Sequence, residues 1–126
     1  MNFLAIDYGL RKIGLSLSEG ELAQPLPILI VKNPLDAQRK ILSLIDLHKI
    51  ETIVFGIPHP DSIKAAKFAF DLERLSNVRI VRVDETLTTK MGQKRGQGKK
   101  AAEDSIVASI LLQEYLDNLK GAEPAI

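Results

Sequence analysis

Asn2-Phe3-Leu4-Ala5-Ile6-Asp7-Tyr8-Gly9-Leu10-Arg11-Lys12-Ile13-Gly14-Leu15-Ser16-Leu17-Ser18 decides the fold. Residues 2–6 and 13–18 are short apolar runs on either side of a polar connector that contains Gly9, a pattern that predicts two strands joined by a turn. The first run ends on a carboxylate. A strand that buries Phe3 to Ile6 therefore delivers Asp7 to its tip.

Working outward, Leu26, Ile28, Leu29, Ile30 and Val31 predict a third strand, whose entry Pro25 and Pro27 confine to a sheet edge or an irregular start. Beyond Pro34, the spacing of Leu35, Ile41, Leu42, Leu44, Ile45 and His48 suits an amphipathic helix. Thr52-Ile53-Val54-Phe55-Gly56-Ile57 is continuously apolar and stops at Pro58, as expected of a strand buried on both faces. Residues 62–75 then predict a helix carrying Ile63, Ala66, Phe70 and Leu75 on its apolar side, and Val78 to Val83 a further strand. The last helix is expected over about 103 to 119, with Val107, Ile110, Leu111, Leu112, Leu116 and Leu119 apolar and Gly121 and Pro124 ending it. Three strands followed by two helix–strand units and a final helix predict an α/β fold: one domain over 1–126, a mixed sheet with helices on its faces.

Composition narrows the class. Hydrophobic residues at 45% and charged residues at 26% are ordinary for a globular protein and exclude disordered and collagenous classes. No apolar run approaches the ~20 residues that cross a bilayer. The N-terminus has neither a basic leader nor a long apolar stretch, so export is not expected. With no cysteine, disulfides, thiolate nucleophiles and cysteine-bound zinc are excluded, and a reducing cytoplasm is the expected compartment.

Three acids stand where plain surface does not account for them. Asp7 ends the first strand, Asp84 and Glu85 follow the fifth, and Asp104 opens the last helix. Helical spacing from Asp104 reaches Val107, Ala108, Leu111 and Tyr115, which puts the acid on the stripe expected to face the core. Ligand sites in α/β sheets favour strand ends. Carboxylates that converge there repel one another unless a cation joins them, and oxygen ligands suit Mg²⁺ and Mn²⁺. Each acid also has a plainer reading: Asp7 as a turn former, Asp84 and Glu85 as solvation of a strand end, Asp104 as a helix cap.

The net charge of +1 conceals a basic stretch. Lys90, Lys94, Arg95, Lys99 and Lys100 fall where no acid occurs between Glu85 and Glu103, and Gly92, Gly96 and Gly98 interrupt them as in a loop. Such a loop suits a polyanion, against the alternative of solvated surface. It is not a Walker loop, for no Gly-Lys-Ser/Thr sequence is present. His48 and His59 receive no catalytic role.

Leu4-Ala5-Ile6-Asp7-Tyr8-Gly9 with Arg11-Lys12-Ile13-Gly14-Leu15-Ser16, then Ala23-Gln24-Pro25-Leu26, Ile53-Val54-Phe55-Gly56-Ile57-Pro58, Val83-Asp84-Glu85-Thr86-Leu87-Thr88-Thr89 and the segment from Asp104 to Leu116 together resemble the YqgF/RuvX family of ribonuclease H-like nucleases. The resemblance runs through nearly the whole chain. It implies a five-stranded sheet flanked by helices and metal ligands at Asp7, Glu85 and Asp104, with Asp84 a neighbour. It also implies a role in maturing the 5' end of the small-subunit (16S) ribosomal RNA precursor or, by an older assignment of the family, in resolving Holliday junctions. Thr86 stands where the family usually has Arg, and His59-Pro60-Asp61-Ser62 replaces a usual Gly-Ser pair. Neither change removes an acid, and both fall on substrate contacts.

The expected mechanism is hydrolysis assisted by two Mg²⁺ or Mn²⁺ ions roughly 3.5 to 4 Å apart. Arg11, Lys12, Lys94, Arg95, Lys99 and Lys100 are the expected nucleic-acid contacts. Precursor ribosomal RNA is favoured over branched DNA as partner, with ribosomal particles a further candidate and no membrane. A monomer is favoured because no heptad repeat or spare apolar face advertises a dimer seam. Two competing readings are a non-catalytic RNA-binding adaptor on the same fold and a sugar-kinase relative, the latter needing a second domain and a nucleotide-binding loop.

Overall fold

The structure is a computed structural model that describes residues 1–57, 62–84 and 100–122, with side chains of the last helix described from 105 to 120. Eight elements follow one another: β1 (Phe3–Asp7), β2 (Lys12–Ser18), β3 (Gln24–Ile30), α1 (Pro34–His48), β4 (Thr52–Ile57), α2 (Ile63–Ser76), β5 (Arg79–Asp84) and α3 (Lys100–Ala122). The five strands form one mixed sheet in the order β3-β2-β1-β4-β5. β1 pairs antiparallel with β2 and parallel with β4, which in turn pairs parallel with β5.

Strand alternation sorts the apolar side chains into two layers. Leu4 and Ile6 of β1 join Ile53 and Phe55 of β4 and Ile80 of β5 beneath α1 and α2, where Ile41, Ile45, Phe68 and Leu72 close the layer. Phe3 and Ala5, with Val54, face Ala108, Leu112 and Leu116 of α3 on the other side. Leu4, Ala5 and Ile6 are fully buried. Burial of a side chain such as Leu4 or Ile6 contributes about 1.5–3 kcal/mol.

β3 is an edge strand, as its prolines require, and its register against β2 shifts between the pairs Ile13–Leu29 and Leu15–Leu26. The extra residue lies on β3, beside Pro27, where a missing N–H costs no ladder bond.

Three boundaries and faces differ from expectation. α2 buries Ala65, Phe68, Ala69 and Leu72, whereas all four residues expected on its apolar side, Ile63, Ala66, Phe70 and Leu75, are exposed: the stripe that the β4–β5 crossover turns to the sheet lies on another side of the helix. Leu35 and Leu119 are likewise exposed. α3 starts at Lys100 and runs through Gly121 to Ala122, so Asp104 lies within the helix and does not cap it. Among the described residues no helix is long and apolar enough to cross a membrane.

The entry to α1 is held by a polar knot. Asn33 Oδ1 accepts from the Asp36 amide at 2.8 Å, while Asp36 Oδ2 accepts from the Lys32 amide at 2.9 Å and Asp36 Oδ1 from Arg39 Nη2 at 3.0 Å. The Lys32 amide, then the Arg39 guanidinium and the Lys40 ammonium, hold the Asp36 carboxyl down to about 2, against a smaller opposing effect of burial. A carboxylate whose folded-state pKa is depressed stabilises the fold above its unfolded value and stops doing so as pH falls through the folded one. Asp36→Asn is therefore expected to lower stability near neutral pH, with the gap to wild type closing between pH about 4 and about 2. Urea unfolding across that range measures it, and a gap independent of pH would refute the assignment.

Candidate active site

Asp7 is the last residue of the middle strand and is only partly buried. Its register partners are Gly14 on β2 and Gly56 on β4. Neither neighbour carries a side chain, so the sheet is cleared on both sides of the carboxylate. Asp7 shares the parity of Phe3 and Ala5, hence the face covered by α3.

The direction of α3 over that face follows from its polar contacts. Ser105 Oγ donates to the Leu26 carbonyl at 2.7 Å, and Leu26 lies opposite Leu15, which pairs with Ile6. Ser109 Oγ donates to Ser16 Oγ at 3.1 Å, and Ser16, opposite Ala5, donates onward to the Gln24 carbonyl at 3.0 Å. Further along the helix the Tyr115 and Phe3 rings sit 6.0 Å apart. Moving up α3 thus means moving back down β1, and the helix residues before Ser105 lie toward the Asp7 end. Asp104 is one residue before Ser105 in the chain, within α3. Two expected ligands therefore come from elements that converge at one end of the sheet.

Asp84 and Glu85 separate. Asp84 pairs with Ile57, which packs in the α1/α2 layer, so it belongs to the face opposite Asp7. Glu85, His59, Lys94, Arg95 and Lys99 lie outside the described residues, as do the side chains of Lys100 and Asp104. Among the described residues no group of three or more His, Asp or Glu side chains is placed to hold a metal ion. Arg11 and Lys12 are exposed at the turn beside Asp7, and the Arg11 carbonyl accepts from the Val31 amide at 2.9 Å. His48 ends α1, with its carbonyl bound by Asn2 Nδ2 at 2.8 Å, a structural use.

A family model described as Holliday junction resolvase matches residues 1–118. The chain belongs to the RuvX family. That membership makes phosphodiester hydrolysis its reaction class. A relative from Rickettsia canadensis, provisionally named a pre-16S rRNA nuclease, is 34% identical over 134 residues, covering 93% of this chain and 86% of its own. One of the same name from Syntrophus aciditrophicus is 33% identical over 133 residues, covering 93% of this chain and 89% of its own. Among solved structures, Thermus thermophilus RuvC in complex with Holliday junction substrate superposes with a TM-score of 0.62 at 13% identity over 97% of both chains. The fowlpox virus resolvase bound to Holliday junction DNA gives a TM-score of 0.63 at 11% identity over 94% of this chain and 99% of its own. At such identities the likeness is one of fold, and it establishes the ribonuclease H-like architecture.

The serines of this RuvX chain are positioning residues for α3 that sequence pattern does not single out. Ser16 and Ser18 alternate on the buried α3 face of β2, and Ser105 and Ser109 are one helical turn apart, a pairing of small hydroxyls that announces a polar helix–sheet seam. The turn that aims Asp7 is equally constrained, because a Cβ at Gly9 would overlap the Lys12 carbonyl oxygen. Gly9→Ala is expected to destabilise the fold by about 1–3 kcal/mol through this overlap with backbone, measured by urea unfolding; an unchanged midpoint would mean the turn relaxes freely.

Proposed function

We propose that this chain hydrolyses a phosphodiester of the 16S ribosomal RNA precursor, with divalent metal held by Asp7, Glu85 and Asp104. The observation that carries the reading is the position of Asp7: the carboxylate ends the central strand between two glycines, at the end of the sheet toward which the start of α3 points. Glu85, which the family resemblance implies, is kept as the second acid, and Asp84 is set aside because its register partner Ile57 belongs to the face opposite Asp7.

The donor set fits a hard cation. All three groups are carboxylates, the strand end gives Asp7 partial access to solvent, and cysteine is absent from the chain. Metal bound there supplies a water of lowered pKa and neutralises charge on the phosphate. The chain's own residues do the rest. Gly14 and Gly56 leave room for a phosphate beside Asp7, the serine contacts hold the start of α3 against the sheet, and the cations Lys94, Arg95, Lys99 and Lys100 retain the flanking phosphates. No side chain forms a covalent bond to substrate.

RNA is favoured over a four-way junction on electrostatic grounds. Resolving a junction takes two coordinated nicks and a broad basic surface for four arms. This chain carries a net charge of +1 with its cations concentrated locally. A single cut near an RNA end needs one site, and a monomer suffices.

The test is incubation of the purified protein with labelled precursor RNA and with a mobile four-way junction, in Mn²⁺ and in chelator. Cleavage of the RNA that chelator stops is expected, and Asp7→Asn is expected to abolish it, weaken Mn²⁺ binding and leave the fold intact; full activity of Asp7→Asn sinks the ligand assignment. Paired nicks in the junction by a dimer, without RNA cleavage, would reverse the substrate ranking. Neutralising Lys94, Arg95, Lys99 and Lys100 together is expected to weaken RNA binding and to flatten its salt dependence by roughly one for each lost phosphate contact. An unchanged slope would make these four cations plain solvated surface.

A further inference from the structure

On the face of the sheet away from α3, the β1–β2 turn and the first turns of α1 and α2 enclose a cleft of about 420 Å³. Four cations line it: Arg11 from the turn, Lys32 before α1, and Lys64 and Lys67 from α2. Among the described residues none of the four takes part in an ion pair. The acid on the lining, Asp71, is paired with Arg74 at 3.7 Å. Among the described residues the lining of the cleft therefore carries more positive charge than is paired, to which the amino-terminal ends of α1 and α2 add.

Its floor has the opposite character. Tyr8 and Phe68 lie with ring centroids 4.6 Å apart, and Leu10 and Pro34 stand at the rim. Tyr8 is 7% exposed, yet among the described residues its hydroxyl makes no hydrogen bond. Burial raises the phenol above its ordinary range, so it stays protonated and keeps an O–H to donate. Since Tyr8 lines the cleft, that O–H is open to a ligand or to water. An apolar floor with one available donor, walled by four cations without an ion pair among the described residues, matches a phosphorylated nucleoside: a flat ring system with a polar edge, joined to anionic phosphate.

Tyr8 follows Asp7 directly in the chain, so the cleft begins where the candidate active site ends. We propose that this cleft is a subsite for one nucleotide of the substrate strand, next to the scissile phosphate and across the sheet end from α3. This rests on the nuclease reading above. The strand would run over the carboxyl end of β1, with its cleaved linkage at Asp7 and a neighbouring nucleotide held by Arg11, Lys32, Lys64 and Lys67. The same chemistry is offered by a free mononucleotide, which the experiment separates.

Binding of a fluorescein-labelled single-stranded oligoribonucleotide is followed by anisotropy in the Asp7→Asn protein, where the strand stays uncut, with and without Lys64→Glu and Lys67→Glu. Both lysines are exposed, so the double variant keeps the fold. It is expected to lose affinity by about tenfold and to flatten the plot of log affinity against log salt by roughly one, as removal of one or two phosphate contacts requires. Tyr8→Phe deletes only that hydroxyl, and is expected to weaken binding without lowering thermal stability. Unchanged affinity and slope in the double variant, or stability loss in Tyr8→Phe with binding intact, would overturn the proposal. Displacement of the oligonucleotide by adenosine monophosphate at equal concentration would overturn it in favour of a free-nucleotide site. Failure of the nuclease reading looks different: no cleavage of any nucleic acid by the wild-type chain, with the lysine effect on binding still present.

Discussion

β1 is packed on both faces, and the site depends on that. Phe3, Leu4, Ala5 and Ile6 are buried beneath helices on alternate sides, and strands pair with both edges. A strand enclosed in this way can carry charge only where it ends. Asp7 is that end, and the glycines opposite it on both neighbouring strands give the carboxylate space that a core position would refuse. Stability and reactivity thus share one element: the apolar run that anchors the sheet also fixes where the acid stands.

α3 meets the sheet differently from α1 and α2. Its contact combines the small Ala108 with Leu112 and Leu116 over β1, and it adds hydroxyl bonds from Ser105 and Ser109 plus the Gln113 side chain, whose Oε1 accepts from the Ala23 amide at 2.9 Å and whose Nε2 donates to the Glu21 carbonyl at 2.9 Å. Apolar packing is tolerant of sliding, whereas a buried hydroxyl that loses its partner costs about 1–3 kcal/mol. The hydrogen bonds consequently fix the helix lengthwise. Ser105 and Ser109 thereby fix which part of α3 lies at the Asp7 end of β1, through residues that no search for catalytic groups selects.

The parts legible in the sequence are those governed by local pattern. Continuous apolar runs marked β1 and β4, and prolines marked β3 as an edge. Placement on a face was harder to read. Asp84 and Glu85 look equivalent as neighbours after one strand, and only the pairing of Asp84 with Ile57 assigns it to the side away from Asp7. The buried stripe of α2 was misjudged for a similar reason: Ile63, Phe70 and Leu75 are the most apolar residues in the segment, but the face presented to the sheet is chosen by the whole crossover between β4 and β5. The family resemblance supplied the choice of Glu85 that periodicity left open. The cations Lys32, Lys64 and Lys67 were invisible as a group, because segments far apart in sequence become neighbours only through α1 and α2.

Charge placement explains how a chain of net charge +1 can serve a polyanion. What a phosphate backbone meets is the local field, and screening confines exposed charges to an effective reach of about 10 Å at moderate salt. Two of the four acids of α1 and α2 are engaged by neighbouring cations, Asp36 by Arg39 and Lys40, with the Lys32 amide as a further partner, and Asp71 by Arg74. That pairing reduces the negative field on this side of the sheet, where Arg11, Lys32, Lys64 and Lys67 make no ion pair among the described residues beside the turn that follows Asp7. On the opposite side Asp7 shares its face with a helix attached through neutral hydroxyls, which add no charge to compete for a cation. An acidic point bordered by cationic ground is the arrangement a phosphodiester-cutting site requires, because the metal must be attracted and the phosphates on either side of the cut must be retained. The near-zero total follows from that pairing of opposites, and it carries no argument against a nucleic-acid substrate.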